Sequence, residues 1–411
     1  MLSFSQSIII NVGEDYINTF LRQQGLKQPE EKQGRDLKYW IDDLLCNENI
    51  KIEDFENFLF DELFFGKRKT IRVYKLDGCR NYKYPRDWES VLREKYGLDN
   101  INFINIIETI PNKDDTDKIV ACQSEENNKG ELTRLRLIFG YAIQMDVNTG
   151  LMDSIAHVPV EIDFEKEQMT LKAWTRNKVS RDEYKADNLL EHTKRMLEIN
   201  FNVCVKEYYN KHKKALFEMS KEMITEAYAH LPNYNIVDQL ESPLDYFIKS
   251  TFATLKLENV TKDDQGNSTL IKDVMDYKGE LRNVIEGLVV SDYFYKRKFE
   301  EIWKLGLDAI VARIKFNDKE NVLTSLRGEN TAVPIFCTKT FMSIKNRMEE
   351  TEQIEAIWIA MNNRKNGRLN LKYDASNDEY LELLIRYGIR FNEDDMNLAM
   401  ENYEKYESNV N

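Results

Sequence analysis

Cysteine is scarce and scattered in this 411-residue sequence: Cys46, Cys79, Cys122, Cys204 and Cys337 are odd in number and never form a C-x-x-C pair. That spacing argues against a disulfide framework or a cysteine-rich zinc site and predicts buried free thiols, which behave as small hydrophobes. Histidine is scarcer still. His157, His192, His212 and His230 show no H-x-H, H-D or H-E-x-x-H spacing, so a multi-histidine metal centre has no ligands to draw on. Long apolar runs are missing too: Ile8-Ile9-Ile10 meets Gly13-Glu14-Asp15 almost at once, far short of the about 18 residues that a membrane span needs. The N-terminus has no basic leader, sustained apolar stretch or small-residue cleavage site, which predicts a cytoplasmic protein with no membrane partner. Neither G-x-S-x-G, G-x-G-x-x-G nor the Walker pattern occurs, and Gly66-Lys67-Arg68-Lys69-Thr70 lacks the upstream glycine of a phosphate loop. No catalytic residue, resident metal or cofactor is expected.

What is present is the composition of a folded chain: 42% hydrophobic, 11% aromatic and 31% charged residues, with only 16 Gly and 7 Pro. The length exceeds what one hydrophobic core usually supports, so two or three packed units are expected. The net charge of −13 disfavours a strongly cationic nucleic-acid or membrane binder, but the charge is segregated. Met1–Gly66 carries 6 Lys/Arg against 13 Asp/Glu, a local −7, and residues 349–411 carry 7 against 14, again −7. Lys67–Lys95 reverses to 10 against 4, or +6, and Tyr293–Arg347 to 11 against 6, or +5.

Apolar spacing predicts an α+β fold in which antiparallel β-meanders combine with long helices, a small helical N-terminal module and a helical C-terminus. Tyr16, Phe20 and Leu21, then Leu37 to Leu45, then Phe55 to Leu63 recur at helical spacing, and Thr70–Leu76 alternates as a half-buried strand. Asp114–Gly130 is polar and reads as a boundary loop. The meander follows: Leu135–Met145 and Leu151–Val158 flank a turn in which Gly150 can take positive φ, and a second turn at 165–168 separates two more strands. Residues 179–231 lack Gly and Pro and predict a long helix or a helical pair, with a strand competing over 199–205. A helix over 281–305 precedes a second hairpin, 309–316 with 322–327. Two C-terminal helices are expected, the first capped by Ser376 or Asn377 and ended by Gly388, the second opening on Asn392 with Glu393, Asp394 and Asp395. Three regions result: an N-terminal helical module with a strand and basic segment (1–112), a meander with a long helical stretch (131–235), and a helical and strand-rich region (236–411).

Two chemistries remain to weigh. Carboxylates on adjacent strands can hold magnesium for phosphodiester cleavage, and Asp153, Glu161 and Asp163 with Lys172 are the candidates on the meander; a solvated outer face explains them equally. The basic segments carry the stronger signal. Lys67, Arg68, Lys69, Arg72, Lys75, Arg80, Lys83 and Arg86 interleave with Tyr74, Tyr82, Tyr84 and Trp88, and a weaker run holds Lys296, Arg297 and Lys298 beside Tyr293 and Tyr295. Cations neutralise phosphates while aromatic faces stack on unpaired bases, so Tyr82 and these cations suit single-stranded nucleic acid. The sequence therefore predicts a non-enzymatic nucleic-acid-interacting or scaffold subunit of a larger assembly with protein partners. A protein-only adaptor and a magnesium-dependent nuclease are the alternatives. The Lys-, Asn- and Ile-rich composition resembles that of low-GC bacteria, where a mobile-element or anti-phage defence system would suit such a chain.

Overall fold

A computed structural model describes the chain except residues 1–3, 28–36, 68, 79–81, 112–116, 149, 177, 259, 263–267, 271–275, 319–321, 329, 331–332, 364–366, 386–389 and 411. The fold is α+β, and every described strand pairing is antiparallel. It divides into two compact units, Met1–Tyr209 with Asn377–Leu398, and Asn210–Ser376 with Ala399–Asn411. Among the described residues no helix is long and apolar enough to cross a membrane.

The first unit opens with four helices, α1 (Gln6–Val12), α2 (Glu14–Gln23), α3 (Leu37–Cys46) and α4 (Ile52–Phe64). Ser5 caps α1 by accepting the amide of Ser7, and Gly13, at φ +108°, turns the chain directly into α2. β1 (Lys69–Leu76) leads to α5 (Pro85–Val91), a π-turn at Leu92–Tyr96, and the short β2 (Phe103–Ile104). The meander is β3 (Asp117–Glu126), β4 (Leu132–Val147), β5 (Gly150–Asp163) and β6 (Gln168–Trp174), followed by α6 (Ala186–Phe201) and β7 (Val205–Lys206).

Strand periodicity gives this sheet two different faces. On one, Leu135, Leu137, Phe139 and Tyr141 of β4 lie opposite Ile162, Val160, Val158 and Ala156 of β5. They join Leu189, Leu190, Leu197 and Phe201 of α6 in one buried core. Trp88 completes it, stacked on Phe201 at 4.9 Å between ring centres, with its indole N–H donating to the carbonyl of Tyr82 at 2.9 Å. The other face carries Arg134, Arg136, Gly140, His157, Glu161 and Lys172, and α1 and α4 pack over β5 on it.

Gly140 sits there because nothing larger fits: a Cβ would lie 3.0 Å from Val120 Cγ1 and 3.1 Å from Pro111 Cγ. Gly140→Ala is therefore expected to destabilise the protein by about 1–3 kcal/mol through overpacking, read from the urea unfolding midpoint. A wild-type midpoint would show that the neighbours yield.

The second unit begins with α7 (Lys211–Ala229), a 3-10 stretch at Tyr234–Leu240 and α8 (Glu241–Leu255). A small hairpin of β8 (Val260–Lys262) and β9 (Ser268–Leu270) precedes α9 (Tyr277–Tyr293), and β10 (Ala309–Asn317) pairs with β11 (Leu323–Arg327). After α10 (Lys339–Thr351), β12 (Ala356–Asn363) and β13 (Gly367–Asp374) extend that sheet in the order β11-β10-β12-β13. α7 packs on β10 and β12 through Leu216, Met219 and Met223, all buried. The chain returns to the first unit with β14 (Tyr380–Ile385), which pairs with β1, and ends with α11 (Glu393–Glu407).

The helix expected over 281–305 stops at Tyr293 and is followed by a separate 3-10 stretch at Phe299–Leu305, and three further segments differ from the sequence expectation. The polar stretch 114–130 contains β3, which buries Ile119, Val120, Ala121 and Cys122 while Asp117 and Lys118 at its start are half-buried and Glu125 and Glu126 at its end are exposed. The first of the two expected C-terminal helices is the strand β14: Leu381 and Leu383 are buried opposite Val73 and Ile71. There Asn377 accepts the amide of Glu379 at 2.8 Å in a turn and caps no helix; Gly388 lies outside the described residues. Over 199–205 the helix prevails as far as Phe201, then Asn202 turns the chain at φ +51° into β7.

Candidate functional site

β1 does not present its cations as one stripe, because successive side chains leave a strand on opposite faces. Lys67 is held by the carbonyl of Ile10 and lies over the Trp174 ring at 4.5 Å. Lys69 is 4% exposed and donates to the carbonyl of Phe65. Burial, together with Lys172 and Arg176 nearby, holds its amine well below the ordinary lysine range. Arg72, 6% exposed, points to the other face, where it pairs with Asp187 at 2.7 Å and covers Tyr380 at 4.5 Å. Lys69 and Arg72 are therefore buried on opposite faces of β1 and are not presented together on one surface. Lys75 reaches Gln168 at 3.4 Å. Tyr82 packs its ring against Trp88, Lys83 is half-buried, and Arg86 is exposed beside Tyr84. Arg68 and Arg80 lie outside the described residues. Lys296, Arg297 and Lys298 are all exposed, and they belong to the second unit.

The meander carboxylates are each engaged elsewhere. Asp153 accepts from Gln144 at 2.8 Å, and Asp163 accepts the amides of Glu165 and Lys166 at 3.0 and 2.9 Å, stabilising the turn. Glu161 binds Arg136 at 2.7 Å. Lys172, fully buried, sits between the rings of Phe64 and Phe65, with its nitrogen 4.2 and 4.3 Å from their centres, and burial lowers its pKa to about 8. Among the described residues no group of three or more His, Cys, Asp or Glu is placed to hold a metal ion.

The surface that the sequence did not single out is in the second unit. α8 buries none of its residues, although it carries Leu244, Tyr246, Phe247, Ile248, Phe252 and Leu255. Tyr246 is 76% exposed and Phe247 56%. One turn apart on α9, Val284 and Leu288 are exposed, and Tyr295 beyond its end is 80% exposed. Charge holds the two helices together while leaving these apolar groups outward: Lys278 binds Glu241 and Asp245, both at 3.0 Å, and Arg282 binds Asp238 at 2.6 Å and Glu241 at 2.9 Å. The buried Glu286 anchors α9 from below, accepting from Tyr234 at 2.9 Å and Lys345 at 2.7 Å. Scattered apolar residues are ordinary on a surface, but a whole helix with aromatic residues and no buried position marks an interaction face. Lys296, Arg297 and Lys298 follow directly on α9 and supply a cationic border.

No protein-family model matches the chain, and no curated protein matches it as a relative.

Proposed function

We propose that the protein is a non-enzymatic interaction subunit that docks through α8 and α9 onto a partner protein whose apolar patch is rimmed with carboxylates. The observation that carries this reading is α8, a helix of aromatic and aliphatic residues with none of them buried. Its apolar side chains supply the desolvated centre of an interface, and aromatic residues are the usual anchors there. The exposed Lys296, Arg297 and Lys298 favour an acidic rim and speed encounter with it. The composition suits a bacterial cytoplasmic assembly of the mobile-element or defence type.

Purification of the tagged chain from its own host tests the proposal. The wild type is expected to retain one protein in fixed ratio, and Phe247→Asp with Leu288→Asp is expected to reduce retention by about tenfold or more, as loss of a central anchor does. Lys296→Glu, Arg297→Glu and Lys298→Glu together are expected to weaken retention and remove its salt dependence. Equal retention by the aspartate variant, or self-association of the chain as the only contact, contradicts the proposal.

The second reading is single-stranded nucleic acid. It is favoured by one observation, the succession of Tyr293, Tyr295, Lys296, Arg297 and Lys298, in which Tyr295 and the three cations are exposed. Retained material that absorbs as nucleic acid, without a stoichiometric protein, selects it.

A further inference from the structure

The first unit contains a cleft of about 670 Å³ between α4 and the β2–β4 edge of the sheet, within the roughly 300–1,000 Å³ range of small-molecule sites. The segment that forms its end wall is fixed by a buried carboxylate: Glu56 on α4 accepts the amides of Ile106 and Ile107 at 2.9 and 3.0 Å. Arg136 also lines the cleft but is engaged by Glu161 at 2.7 Å and by Glu393. Arg134, beside it, is held only loosely, 3.4 Å from Glu125 and 3.9 Å from Glu393. It is the guanidinium free to turn onto a ligand carboxylate, for which its planar fork is shaped.

From the roof, Glu53 presents a carboxylate with no partner among the described residues, and the side-chain amides of Asn57 above and Gln123 below are likewise without one. Ile52, Phe103 and Ile104 supply an apolar wall. Beyond the charges already engaged, the cleft thus offers one loosely held cation, one anion without a partner among the described residues, two amides able both to donate and to accept, and an apolar surface. A polyphosphate is disfavoured, because Glu53, Glu56 and Glu125 all line the same space. A ligand bearing both signs of charge satisfies every group.

We infer that this cleft binds a zwitterionic aminocarboxylate, an α-amino acid or a short peptide, with its carboxylate on Arg134, its ammonium on Glu53 and its side chain against Phe103 and Ile104. The amides of Asn57 and Gln123 serve a peptide bond or a side-chain amide of the ligand. This inference stands apart from the α8–α9 reading and does not depend on it.

Isothermal titration of the full chain with L-phenylalanine and with L-phenylalanylglycine tests it, using 2-phenylethylamine, N-acetyl-L-phenylalanine and adenosine monophosphate as comparisons. At least one zwitterion is expected to bind about tenfold or more tightly than either singly charged analogue, a difference of about 1.4 kcal/mol. Arg134→Met is expected to weaken the zwitterion while leaving 2-phenylethylamine unchanged. Glu53→Gln, at an exposed position, is expected to weaken the zwitterion while leaving N-acetyl-L-phenylalanine unchanged. Saturable binding of neither zwitterion, tighter binding of adenosine monophosphate, or zwitterion binding indifferent to both substitutions overturns the inference.

Discussion

Replacing Arg136 with methionine is expected to lower the unfolding free energy by about 1–3 kcal/mol, the cost of leaving the part-buried Glu161 carboxylate without its hydrogen-bond partner. Arg136 joins Glu161 of β5 to Glu393 at the start of α11 and lies against the rings of Phe64 and Phe65. Without it, Glu161 keeps the electrostatic attraction of Lys172 and, more weakly, of Arg134. Glu161→Gln in the Arg136→Met background is expected to recover part of the loss, because the pair is then removed together. Lys172→Met should behave differently. Lysine 172 already lacks a hydrogen-bond partner and lies between two phenyl rings, so an apolar chain of similar volume is expected to change stability by about 1 kcal/mol or less. Urea unfolding of the three variants checks both expectations. A neutral Arg136→Met together with a severe Lys172→Met would show that the lysine, not the arginine, organises this face.

Acidification is expected to weaken the fold well before the carboxylates titrate, and His157 is the cause. Its ring is buried, with Nδ1 3.1 Å from the amide nitrogen of Asn11, and burial, then Arg176 and Lys69, lower its pKa to about 3. The unfolded histidine keeps a pKa near 6.5. Between those values the unfolded chain binds a proton that the folded chain refuses, so this stability is present in full above about pH 6.5 and declines as pH falls toward 3. Over the window from about pH 6.5 to 5, the contribution of His157 to the slope is expected to approach about 1.4 kcal/mol per pH unit. His157→Gln removes this titrating group, and its unfolding free energy should fall less steeply than the wild type's across that window. Parallel pH profiles for the two proteins would contradict this assignment.

Much of the architecture was legible because its elements repeat with one period and end on suitable residues. The β4–β5 hairpin is the clearest instance: alternation on both arms and a glycine able to take φ +123° at residue 150 specify the strands and the turn between them. The segments that misled share a physical reason. β3 has only a short apolar centre between charged ends, and β14 reads as helical because its burial depends on β1, which lies some 300 residues earlier in the chain. Local spacing does not report a partner that distant.

The candidate sites were less legible than the fold. Net charge along a segment does not say where side chains go, and β1 sends Lys69 and Arg72 to opposite buried faces. Alternation along β5 puts Glu161 and Asp163 on one strand face, but the arginine that pairs with Glu161 comes from the neighbouring strand. α8 was missed for the opposite reason. Its apolar residues look like those of any core helix, and only the three-dimensional arrangement reveals that, among the described residues, none of the helix is buried.

Amide hydrogen exchange of α8 and α9, in the isolated chain and in the assembly recovered from its host, reads that uncovered face most directly. The isolated α8 should exchange quickly, since few buried contacts protect it, and both helices should slow by about tenfold or more when the partner is bound. Unchanged exchange across Glu241–Tyr293 in the assembled protein, with protection appearing only elsewhere, would remove the docking role assigned to this surface.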